Sequence, residues 1–210
     1  MAPRAYNNES RRRQQAELKG RIAAAAAELH AQKGALATSY AEVAERAGVS
    51  VPTVYKHYPD LDDLVRGCTA HVSSVAPAIP VEAIVGAPTL QAAIEGLVDA
   101  EMGVHAHFEP WAVWREHGRI PALAQLYATN RQRVIQLCTA VLDRHGVEGD
   151  RRELAAVMES LLHFELWHRL TRLHKLTRPA VRRRLVHLLM AALGQQPATS
   201  NSRPMHRRKP

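Results

Sequence analysis

Between Thr38 and Tyr58 the chain carries hydroxyl, phenol, imidazole and ammonium groups: Thr38, Ser39, Ser50, Thr53, Tyr55, Lys56 and His57, with Pro52 among them. These groups donate and accept hydrogen bonds. None stands in a spacing that makes or breaks covalent bonds. Elsewhere the chain offers no Ser-His-Asp set, no paired carboxylates and no phosphate-binding loop, so an enzyme is not expected. The chemistry on offer is noncovalent recognition.

Two short helices must position those groups. Ser39 can cap the first, with Glu42 three residues later completing a capping box. Val43, Ala44 and Ala47 give that helix a small apolar face. Gly48 suits a left-handed cap, Val49 plugs the corner and Ser50 can cap a second helix. In the second helix Val54 and Tyr58 face inward, one turn apart. Pro52, Thr53 and Lys56 face outward, with Tyr55 and His57 on the flanks. A Gly-containing turn between two such helices makes a helix-turn-helix, whose second helix fits the DNA major groove. An ordinary helical hairpin shares the spacing.

The surrounding residues separate the two readings. From Leu29 to Val65 the chain resembles the DNA-binding domain of the TetR family of transcriptional regulators. The resemblance rests on Gly34, Thr38-Ser39-Tyr40, Val43-Ala44, Ala47-Gly48-Val49-Ser50, Thr53-Val54-Tyr55, His57-Tyr58 and an acidic run into Leu64. Two positions depart from the family pattern. His30 stands where Phe is usual, and Leu61 where a phosphate-contacting Lys is usual. The resemblance implies that Ser50, Thr53, Tyr55 and His57 mostly meet phosphates, which fixes register without reading sequence. Lys56 and Pro52 are then placed for base edges, guanine O6 and N7 for the lysine and a thymine methyl for the proline. Thr38 and Ser39 would bring hydroxyls and a helix N-terminus to a phosphate.

Charge fits a polyanionic partner. Lys+Arg 28 against Asp+Glu 20 leaves +8, and the pI is about 10.0. The helix-turn-helix segment is not itself basic. From Glu28 to Val65, Lys33, Arg46 and Lys56 face six carboxylates. Residues 1–14, with Arg4 and Arg11-Arg12-Arg13, are expected to form a disordered basic arm, either a solvated extension or one that follows the minor groove or the phosphates. The DNA-binding domain is expected over 15–65, a helical ligand-binding and dimerisation domain over 66–194, and a disordered basic tail over 195–210. No run is apolar and long enough for a membrane span, no signal-peptide core opens the chain, and Cys68 and Cys138 have no CxxC partner. These features predict a cytoplasmic protein without membrane attachment.

The remainder reads as helix throughout, giving an all-α chain. Helices are expected over 15–33, 61–73, 89–107, 110–117, 121–144, 150–174 and 177–194, with 75–88 as a linker. One motif reads too few base pairs, so a homodimer on a palindromic operator of double-stranded DNA is expected, formed through the last two helices. Leu154, Met158, Leu161, Leu162 and Leu166 supply one apolar face, and Val181, Leu185, Val186, Leu188, Leu189, Ala192 and Leu193 the other. Phe108, Trp111 and Trp114 recur every third residue, which suits either core or the wall of a pocket. With Met102, His105, Tyr127, Met158, His163 and Trp167 they are the candidates for binding a small hydrophobic or aromatic effector that releases a repressor from DNA. The alternative is a DNA-bound scaffold that recruits a protein without a small molecule. Twelve His residues raise a metal sensor. However, Glu101, His105 and His107 do not share a helix face and no Cys is near, so neither metal nor cofactor is expected.

Overall fold

A computed structural model describes residues 6–195. Among them every regular element is helical: α1 (Tyr6–Lys33), α2 (Tyr40–Ala47), α3 (Val51–His57), α4 (Leu61–Ser73), α5 (Val81–Val85), α6 (Leu90–Ala112), α7 (Pro121–Arg144), α8 (Arg151–Leu161), α9 (Phe164–His168) and α10 (Arg178–Ala192). A 3₁₀ turn, Glu116–Gly118, precedes α7, and a π turn, Arg169–Leu173, follows α9. The all-α class is as the sequence indicates.

The chain divides into two compact units. The first holds the chain up to Ile79 and Gly103–Val134; the second holds Pro80–Met102 and the chain from Ile135. In the first, α1 to α4 close on Ile22, Ala26, Val43, Val54, Tyr58 and Leu64, all buried. Phe108 and Trp111 of α6 pack on the same cluster. Trp111 Nε1 donates to the Ala27 carbonyl at 2.8 Å and Trp114 Nε1 to the Ala31 carbonyl at 3.3 Å. The Glu116 carboxylate accepts from the amides of Ala35, at 2.7 Å, and Leu36, at 2.9 Å. Thus the end of α6, the residues after it and the 3₁₀ turn meet Ala27, Ala31 and Ala35, positions one helical turn apart along the end of α1 and the chain just after it.

In the second unit, α8 and α10 pack together, and Ile94, Leu97, Met158, Val181, Leu185 and Leu189 are buried. Arg182 of α10 reaches α6, donating to Asp99 at 2.7 and 2.9 Å and to Glu95 at 3.1 Å.

Four elements differ from the sequence expectation. The first helix starts at Tyr6, not near Gln15, so Arg11–Arg13 are helical rather than part of a disordered arm. Nothing from Tyr6 to Lys19 is Gly or Pro, and Arg, Gln, Glu, Ala and Leu all favour helix. The helices expected over 89–107 and 110–117 are instead one helix to Ala112 that contains Pro110. So close to the C-terminus the ring forfeits one backbone bond, and the indole bonds of Trp111 and Trp114 hold the segment against α1. The helix expected over 150–174 stops at Leu161. His163 caps a new one, its Nδ1 accepting from the Glu165 amide at 3.3 Å. The stretch expected as linker contains α5, whose Ile84 is buried. Residues 1–5 of the expected arm and residues 196–210 of the expected tail lie outside the described residues.

Candidate nucleic-acid interface

The capping box at the start of α2 is complete. The Glu42 amide donates to Ser39 Oγ, and the Ser39 amide donates to the Glu42 carboxylate at 2.9 Å. Hydrogen bonds from Lys33 and from the Ser39 amide and hydroxyl hold the Glu42 carboxyl down to about 2, so the cap stays charged in any working buffer. Gly48 closes α2 in the left-handed conformation, φ 64°, which turns the chain into α3 without a Cβ clash. Ser50 begins α3, but its hydroxyl does not cap the helix. It pairs with Thr53 Oγ1 at 2.8 Å.

In α3 the division between faces is clean. Val54 and Tyr58 are 0% and 3% exposed, whereas Tyr55 is 51% exposed. Pro52 and Lys56 also stand exposed, with Thr53 and His57 half-buried. The Tyr55 ring stacks on Tyr40, centroids 4.3 Å apart at 17°, which fixes it while leaving an open side. Thr38 and Ser39, expected near a phosphate, bond locally in the chain. The Thr38 hydroxyl donates to the Gly34 carbonyl and the Ser39 hydroxyl to Glu42, both at 2.8 Å. Both hydroxyls have partners within the chain and the Glu42 amide is taken by Ser39 Oγ, which leaves the Tyr40 and Ala41 amides as the donors of that first turn.

Tyr58 locks three helices together. Its hydroxyl donates to the Lys19 carbonyl at 3.1 Å, and Lys19 Nζ lies 5.3 Å from the ring centre. On α4, Gly67 admits the ring: a Cβ there would stand 2.3 Å from it. Lys19, His57, Tyr58, Asp63, Arg66 and Gly67 line a cleft of about 400 Å³ beside the end of α3. The sequence motif includes Tyr40 without giving it a role, and it includes neither Lys19 nor Arg66. Lys19 and Tyr58 are 39 residues apart, and no local pattern links them.

Carboxylates neutralise most cations of the helix-turn-helix. Lys33 pairs with Glu42, Arg46 with Glu28 at 2.8 Å, and Arg66 with Asp63 at 3.1 Å. Among the described residues Lys56 has no ion pair, so α3 presents one open ammonium toward the outside.

The candidate effector residues separate between the two units. In the first, Phe108, Trp111 and Trp114 are spent on packing and indole bonds to α1, and Tyr127 stacks on His117 at 4.5 Å. His105, in the same unit, is buried. In the second, Met102, Met158 and Trp167 are buried and His163 caps α9. No group of three or more His, Cys, Asp or Glu among the described residues is placed to hold a metal ion.

An all-helical chain that presents such a second helix has the architecture of a helix-turn-helix regulator. Residues 22–68 match the family model for bacterial regulatory proteins, tetR family. The helix-turn-helix segment of this chain is thus similar to the DNA-binding part of that family, whose regulators are non-enzymatic transcription factors. An uncharacterized HTH-type transcriptional regulator of Mycobacterium bovis is 38% identical over 68 residues, and another, from Mycobacterium tuberculosis, is equally so. These alignments cover 32% of this chain and 36% of the relatives, so the chain spans about a third of their length. Across most of the chain the fold is similar to that of a TetR-family transcriptional regulator from Rhodococcus sp., TM-score 0.63, 18% identity, over 84% of this chain and 99% of that one. NalD of Pseudomonas aeruginosa, the secondary repressor of the MexAB-OprM multidrug efflux pump, also scores 0.63 at 18% identity, over 84% of this chain and 96% of that one.

Proposed function

We propose that this chain is a sequence-specific transcriptional repressor that binds a palindromic operator as a homodimer and leaves it when a small hydrophobic or aromatic molecule binds. The observation that carries the reading is the outer face of α3. Pro52, Tyr55 and Lys56 stand open on a helix that Val54 and Tyr58 anchor. Lys56 and Pro52 read base edges. Thr53, Tyr55, His57 and the first turn of α2 hold phosphates, and these contacts fix the register in which the bases are read.

Dimerisation uses α8 and α10, where Val157 and Leu188 remain 41% and 44% exposed. The effector binds in the second unit, with Met102, Met158 and Trp167 as apolar walls and His163 as the polar group. The irregular backbone there, from the break at His163 through the π turn, supports this placement, since π turns concentrate at functional sites. To act, the effector must bind better to a form that does not hold DNA.

Selection of bound duplexes from a random-sequence library tests the reading. The expected product is an inverted repeat whose half-sites lie about one helical turn, or a multiple of it, apart. Enrichment of no repeat overturns it. A panel of hydrophobic aromatic compounds, scored for raised thermal stability and for release of the enriched duplex, tests the effector.

A further inference from the structure

Residues 9–17 of α1 have no structural work to do in the fold. They are exposed throughout, and from Glu9 onward the first fully buried residue is Ile22. This stretch and the turn after it carry Arg11, Arg12, Arg13, Lys19 and Arg21 against Glu9 and Glu17. Among the described residues none of those five cations has an ion pair. The helix leaves the core at a defined place. Lys19 is fixed at the C-terminal end of α3 by the Tyr58 ring and hydroxyl, and it lines the cleft that His57 also lines. Arg12 precedes Lys19 by seven residues, which is two turns less about 20°, so both lie on one side of α1 about 10 Å apart. Arg11 and Arg13 flank Arg12 at one residue's rotation. A line of positive charge therefore continues outward from the end of α3, on a rigid element.

We infer that the exposed start of α1 is a cationic ridge that grips the sugar-phosphate backbone of the duplex beyond the segment entered by α3, with Arg12 and Lys19 in register and Arg11 and Arg13 beside them. The occupant is duplex DNA because the ridge abuts α3 and because the helix-turn-helix keeps one unpaired cation of its own, Lys56. Guanidinium groups suit phosphate oxygens, and each neutralised phosphate adds to the salt dependence of binding. The inference rests on the reading of α3 as the DNA-contacting helix. It adds that attraction and reading are divided between two helices, one unspecific and one selective.

The test is fluorescence anisotropy of the full chain with a labelled 30-base-pair duplex of mixed sequence, between about 50 and 300 mM salt. Arg11→Ala/Arg12→Ala/Arg13→Ala is expected to weaken binding at least tenfold at the low-salt end. It should also reduce the slope of log K against log salt by about two to three. The helical circular dichroism and melting temperature should stay near those of the unaltered chain, because these side chains touch nothing in the core. The triple Lys variant should keep the slope. Ala16→Pro breaks the helix between the arginines and Lys19 while leaving every charge in place, and it should lose affinity as the triple Ala variant does. An unchanged slope in the triple Ala variant, with the unaltered chain binding normally, overturns the ridge and leaves the reading of α3 standing. Full affinity in Ala16→Pro shows a flexible tether and also overturns it. If the unaltered chain binds no duplex at all, both inferences fall together.

Discussion

Lys56 is the one open ammonium on the outer face of α3, so its loss should be felt at base edges and not in the fold. Lys56→Ala is expected to cost about 1–3 kcal/mol on the selected duplex and to relax preference at one position per half-site. Binding to the selected duplex and to a panel of single-position variants reads both. Tyr55→Phe keeps the ring on Tyr40 and removes only the hydroxyl, so it should weaken selected and unselected duplexes by the same factor. His30 belongs to the interior instead. It is 4% exposed, with Nδ1 3.4 Å from Cys68 Sγ and Nε2 without a partner. Burial lowers its pKa from 6.5 to about 4. The unfolded chain therefore takes up the proton first as pH falls. The stability contributed by the neutral ring is intact above pH 6.5 and is lost progressively down to about 4. Between pH 7 and pH 5 the loss should be about 2 kcal/mol. Urea unfolding at the two pH values measures it, and His30→Phe, which restores the ring the TetR resemblance leads one to expect, should remove this component.

Among elements, the 3₁₀ turn is the one whose role rests on a single side chain. Glu116 accepts two amides at the end of α1, those of Ala35 and Leu36. Glu116→Ala strips both of a charged acceptor and should destabilise the protein by about 1–3 kcal/mol. Because the two amides bond to different carboxylate oxygens, Glu116→Gln keeps one acceptor and sets its NH2 against the other amide, so it should recover half of that loss at most. Thermal melts of the three proteins check this. Neither this latch nor the Tyr58–Lys19 contact was legible beforehand, because each joins residues whose distance along the chain has no local signature. What depends on neighbours was legible. The Ser39–Glu42 box, the left-handed Gly48 and the inward Val54 and Tyr58 all stand as their spacing implies. The errors lie where tertiary contacts override propensity. Pro110 stays helical because Trp111 is bolted to α1, and α8 stops at Leu161 with no Gly or Pro to announce it. The aromatic triplet at 108, 111 and 114 suited pocket and core equally on spacing, and only its indole partners show that it is spent on packing. The basic segment at 11–13 was legible as charge but not as helix, since tail and ridge share a composition.

At the scale of the whole molecule, one reading helix per chain cannot specify an operator, so the proposal stands or falls with the dimer. On α10, Arg184, Leu188, Ala191 and Ala192 recur at helical spacing and all stand exposed, while Val181, Leu185 and Leu189 on the other side are buried. The buried side is committed within the second unit. The open side, with Val157 of α8, offers Leu188, Ala191 and Ala192 as an apolar patch with Arg184 at its edge, which a two-fold mate can meet with its own copy. Leu188→Glu puts a like charge opposite itself across any such seam and leaves the buried side untouched. The variant should therefore sediment as a monomer at concentrations where the unaltered chain is a dimer, with its circular dichroism unchanged. Because two heads on one duplex gain from effective concentration, its affinity for the selected inverted repeat should fall about 10²-fold or more. Its affinity for a single half-site at matched salt should hold. A monomer that still binds the full repeat tightly would separate recognition from symmetry and place the mate's contacts elsewhere than on α10.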